Sequence, residues 1–159
     1  MKRSVSGFLS IGFVFFFSTS SAFASAAWIN EELALPKNQY RSECPIDNRV
    51  DEGSFASPSN KDRSKVVGLL TWGVGRRMLQ ACEKLGVPPK GIRHVKLVCG
   101  KDSLKDEAKQ CSNKKSGVSP FSAKIKGDTL VIEGKFINCA CADSFQSSGL
   151  EEILNGLLK

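Results

Sequence analysis

The sequence predicts an α+β fold: a small antiparallel sheet of about four strands, including a three-strand meander, packed against one long helix and one short C-terminal helix and stabilised by disulfides. Three observations predict it. Apolar residues recur three or four apart from Val67 to Leu85, apolar and polar residues alternate in short runs between 92 and 142, and six cysteines follow an N-terminal export signal.

The first residues read as an address. Lys2 and Arg3 precede a run from Phe8 to Phe17 that is apolar apart from Ser10 and Gly12, and small residues follow. That is the three-part pattern of a secretory signal peptide. Ala22-Phe23-Ala24 and Ala24-Ser25-Ala26 both meet the small-x-small requirement of the processing peptidase, so residues 1–26 are expected to be cleaved, after Ala24 or after Ala26. An apolar core of about ten residues is half of what a bilayer span needs. The first cysteine beyond it is Cys44, which leaves none at the new N-terminus to carry a lipid. The mature chain is therefore expected in a bacterial periplasm or secreted, with no transmembrane span.

Residues 27–60 contain Pro36, Pro45 and Pro58 and no periodicity, and read as an irregular N-terminal arm. Asn30 to Ala34 suits a short helix with Asn30 as its cap, Cys44 is expected to pin the arm, and Trp28 makes its start a candidate docking peptide. Residues 61–159 form the expected single domain. Asp62 or Ser64 can cap the long helix, whose stripe is Val67, Leu70, Val74, Met78, Ala81, Cys82 and Leu85; Gly86, Pro88 and Pro89 stop it. Gly68, Gly73 and Gly75 each cost up to about 1 kcal/mol in a helix interior. They call for a closely packed neighbour, a kink near Trp72, or a division into two shorter helices.

Residues 92–99 alternate as a strand with His94 and Lys96 on its wet face. A short polar helix starting at Asp102 or Ser103 runs to Cys111. Strands at 122–126, 129–133 and 136–142, joined by Gly127-Asp128 and Gly134-Lys135, give the meander. Leu150, Ile153, Leu154, Leu157 and Leu158 make an amphipathic terminal helix with Glu151 and Glu152 in its first turn.

Cys44, Cys82, Cys99, Cys111, Cys139 and Cys141 read as a disulfide framework, as an even count in an exported chain implies. On a strand Cys139 and Cys141 would share a face, and a bridge between them would be short and strained. Each is expected to reach a different partner, with Cys99 paired to one of them. Cys-x-Cys is neither the usual zinc spacing nor the Cys-x-x-Cys of redox sites, and no metal or cofactor is expected.

Charge is uneven along the chain. Residues 28–60 carry 3 basic and 6 acidic residues, residues 61–115 carry 14 and 5, and residues 116–159 carry 4 and 5. The basic middle supplies Arg76, Arg77, Arg93, Lys96, Lys114 and Lys115, which with Trp72 are the candidate binding residues for a protein or acidic macromolecule. Aromatics are not interleaved with these cations, so nucleic acid is not favoured. Gly73-Val74-Gly75-Arg76-Arg77 lies inside the helical stripe and not between a strand and a helix, as a phosphate loop would. One histidine excludes any site needing two, no Gly-x-Ser-x-Gly elbow is present, and the carboxylate pairs 31/32 and 151/152 point apart on helices. The sequence thus favours an exported binding module. A small enzyme or toxin acting on an anionic polymer through His94, and a thiol-disulfide protein using Cys139 and Cys141, are the alternatives.

Overall fold

A computed structural model describes residues 21–35, 45–57 and 59–159 of the 159-residue chain. The expected signal peptide up to Ser20, and Cys44, lie outside the described residues. Helix α1 covers Ser21–Ala34, strand β1 Asp47–Val50, helix α2 Asn60–Gly68, a π-helical segment Leu69–Gly75 and helix α3 Arg76–Leu85. Strand β2 (His94–Val98) is followed by the one-turn helices α4 (Glu107–Gln110) and α5 (Asn113–Ser116), strands β3 (Phe121–Lys126) and β4 (Thr129–Gly134), and helix α6 (Leu150–Leu157). The α+β class, the sheet of four strands, the long helix from Asn60 to Leu85 and the bracing disulfides are all present.

Strand direction differs from the expected antiparallel meander. The order is β1-β2-β4-β3, with β1 and β4 both parallel to β2 and only the β3–β4 hairpin antiparallel. Gly127, at φ +60°, turns that hairpin. The crossover from β2 runs through α4, α5 and β3, so β4 enters the sheet between β2 and β3. Beyond it, residues 136–142 are not a strand. A 3-10 turn occupies Ile137–Cys139, with Asn138 and Cys139 at φ +53° and +52°. The physical reason is the pair of bridges Cys99–Cys139 and Cys111–Cys141, with Cα separations of 4.8 and 5.2 Å. A strand would send both sulfurs to one face, whereas a turn aims them at two segments. Cys82 is disulfide-bonded as well.

The segment read as an irregular arm contributes two elements. Ala26, Ile29 and Leu33, spaced as one helical face, are buried in the core from α1. Asn30, expected as a cap, lies inside α1. Its Nδ2 donates to the Val50 carbonyl at 3.1 Å and its Oδ1 accepts from the Val50 N–H at 2.8 Å, replacing the neighbour that edge strand β1 lacks. Trp28, at the start of the candidate docking peptide, lies on α1 with the Arg63 guanidinium over its ring, 5.4 Å from the centroid, and stays partly exposed.

The long helix begins one turn before the expected caps, with Ser59 Oγ accepting from the Asp62 N–H at 3.4 Å. Its buried positions Val66, Leu70, Val74, Met78 and Cys82 recur every four residues. On a helix of 3.6 residues per turn such a stripe drifts by about 40° per step. The wider π segment absorbs the drift: the Arg76 N–H bonds back to the Thr71 carbonyl, five residues away, while both junctions keep right-handed helical angles. Three glycines therefore sit in one continuous rod instead of dividing it.

Gly100, just beyond β2, is a position of close approach. A Cβ there would overlap the Lys135 carbonyl, and the Gly100 N–H itself donates to the Phe136 carbonyl at 3.1 Å. Gly100→Ala is expected to lower unfolding free energy by about 1–3 kcal/mol in urea titrations. Asn30→Ala, which strands the Val50 amide and carbonyl, should cost about 1–3 kcal/mol. Unchanged midpoints would contradict these packings.

Candidate functional site

The π segment that keeps the stripe buried also sets which residue faces out. Leu69, Leu70 and Val74 turn into the core, and Trp72 projects with 75% of its surface exposed. Beside it runs an open cleft of about 540 Å³, with Lys65, Gly68, Leu69, Trp72 and Gly73 on the helix side and residues 142–147 opposite. The exposed indole leaves a large apolar area unburied at the edge of the cleft.

Two glycines of the rod have opposite reasons for being there. A Cβ on Gly73 would stand 2.9 Å from the Phe145 ring, so this glycine admits Phe145 against the helix and seats the opposite wall. A Cβ on Gly68 would meet nothing within 4 Å. Internal packing does not require Gly68; its missing side chain leaves room along the cleft.

Lys65 spans the cleft's end. Its ammonium lies 2.8 Å from the Asp143 carboxylate and 3.5 Å from that of Glu107. The hydrogen bond to Asp143, foremost, with the fields of Asp143 and Glu107, holds its pKa above the ordinary lysine value despite the opposing effect of burial. The pair ties α2 to the 142–147 wall, at a point where the wall is already fixed by Cys141.

The seven candidate binding residues are distributed over three places. Trp72 and Arg76 stand one turn apart on the rod, and Arg76 is exposed and makes no ion pair among the described residues. Arg77 pairs with Glu151 of α6. Arg93 is exposed at the entry to β2, while Lys96 is paired with Asp51 at 2.5 Å on the sheet face away from the helices. Lys114 and Lys115 are exposed on α5, which is tied to the cleft wall by the Asn113 N–H donating to the Ser147 carbonyl at 2.8 Å. Of the seven, only Trp72 lines the cleft.

His94 lies elsewhere, on β2, with Nδ1 3.4 Å from Asp47 and Nε2 3.6 Å from Asp128. Among the described residues, no group of three or more His, Cys, Asp and Glu side chains is placed to hold a metal ion, and no helix is long and apolar enough to cross a membrane. Sequence reasoning missed Lys65, Gly68, Asp143 and Phe145. Lys65, Gly68 and Trp72 carried a signal, being three and four residues apart on one helix face; the wall residues carried none, because a turn held by disulfides has no period. Comparison with known families, curated proteins and solved structures finds no match.

Gly68→Ala is expected to raise unfolding free energy by about 0.5–1 kcal/mol through helix propensity alone, whereas Gly73→Ala should lower it by displacing Phe145; the two signs are read from denaturant midpoints. The Lys65 pair gives a pH dependence. A raised folded pKa contributes stability fully below the ordinary value of 10.5 and loses it as pH climbs through the higher folded value. The stability difference between wild type and Lys65→Met should therefore be flat from neutrality to the ordinary lysine value and shrink above it. A difference that grows with pH would contradict the pairing.

Proposed function

We propose that the chain is an exported, disulfide-stabilised binding module that engages another protein through the Trp72 cleft. The observation that carries this reading is the exposed indole held out by a π segment beside an open cleft. Such irregular helical turns recur at functional positions, and tryptophan and arginine are the residues most enriched among those that dominate binding energy. The partner expected is one that lays an apolar side chain on Trp72 and an acidic group against Arg76. The remaining cations add a long-range field that attracts an acidic partner and speeds encounter.

Thiol exchange is less well supported than binding. Cys139 and Cys141 are bonded to different segments and are 2% and 1% exposed, which denies an attacking thiolate access to either sulfur. Export accords with the signal-like N-terminus and with the oxidised cysteines, since disulfides persist in oxidising compartments.

The test uses the full-length chain expressed with its leader, captured from the exported fraction with its bound protein after mild crosslinking. Wild type should retain a stoichiometric partner; Trp72→Ala should weaken that complex by about thirtyfold or more, and Gly68→Leu should block it while the thermal midpoint does not fall. Arg76→Ala should chiefly reduce the salt sensitivity of association. A partner held equally by Trp72→Ala and Gly68→Leu, or no partner at all, would refute the cleft as the binding site.

A further inference from the structure

The sequence offers two processing sites, after Ala24 and after Ala26, and treats them as equal. The fold does not. We infer that processing occurs between Ala24 and Ser25, so that the mature chain begins at Ser25; this rests on the export reading above.

The argument starts from which residues the core uses. Ala26 has no exposed surface and belongs to the same buried cluster as Ile29 and Leu33, three and seven residues further along α1. These three form the helix face that meets the body. That face is fixed in register by the two hydrogen bonds between Asn30 and Val50 and by Arg63 stacked over Trp28. Cleavage after Ala26 would delete a core side chain and leave eight residues of α1, Ala27 to Ala34, the first of them half-buried and bearing the new ammonium. A charged group brought to that edge of the core is disfavoured unless paired.

Cleavage after Ala24 leaves Ala26, Ile29 and Leu33 all in place. It also leaves a serine, a residue type favoured at helix starts, as the first residue of the shortened helix. Both candidate bonds lie inside α1 in the folded chain, and a peptidase requires its substrate extended. The cut must therefore come before α1 docks, while the chain is still emerging.

The experiment is an intact-mass measurement on the full-length chain expressed with its leader in an export-competent host and recovered from the exported fraction. The expected mass is that of residues 25–159 with its cysteines oxidised. A predominant product starting at Ala27 would overturn the inference and leave export standing. A product starting at Met1 in that fraction would overturn cleavage, and absence of the chain from the fraction would overturn export itself. Ala22→Arg, which disables only the first site, supplies a second readout: it should abolish the Ser25 product and yield either the Ala27 form or uncleaved precursor.

Discussion

The structure depends on a double tether. Cys139 and Cys141, separated by one residue, are bonded to sulfurs 40 and 30 positions earlier in the chain, at the end of β2 and beside α4. Each bridge closes a loop long enough to stabilise the fold by about 3.5–4 kcal/mol on the chain-entropy account, a substantial share of the total stability of a domain this size. The chain has reason to rely on them. Beyond residue 26 it holds only four phenylalanines, two tryptophans and one tyrosine, and its buried cluster is largely aliphatic.

The tether also builds the cleft. The stretch after β4 has no ladder to follow and would otherwise pass over the surface as a long loop. Cross-linked at 139 and 141, it is held low enough for Asp143 to meet Lys65 and for Phe145 to press on the rod at Gly73. The helix answers with its π segment, which buries six of its seven residues and turns one indole outward. Cleft and core are thus two consequences of the same local geometry, and Gly68, which neither packing nor a turn requires, opens onto the cleft.

Much of the scaffold was legible. The long and terminal helices, the β2 strand, the β3–β4 hairpin and the divided pairing of Cys139 and Cys141 follow from periodicity, turn residues and the direction of side chains on a strand. What was not legible has identifiable causes. Strand β1 is four residues long, three of them polar, and belongs to no long alternating run; it is completed by Asn30, whose role depends on tertiary contact. The parallel arrangement of β2 and β4 depends on a crossover through segments too short and polar to have a pattern. The third expected strand is a short apolar run broken only by Asn138, but its two cysteines must reach different segments, and the covalent requirement overrides the local preference. For the site, the helix half could be read from Lys65, Gly68 and Trp72, while the basic residues dispersed once folded, because charge clustered along a chain need not cluster in space.

The most direct test of the double tether is tandem mass spectrometry of the unreduced folded protein, which resolves the two sulfurs flanking Ala140. The account predicts fragments joining Cys99 to Cys139 and Cys111 to Cys141. A direct Cys139–Cys141 bridge, or free thiols at these positions in a fully folded protein, would contradict it.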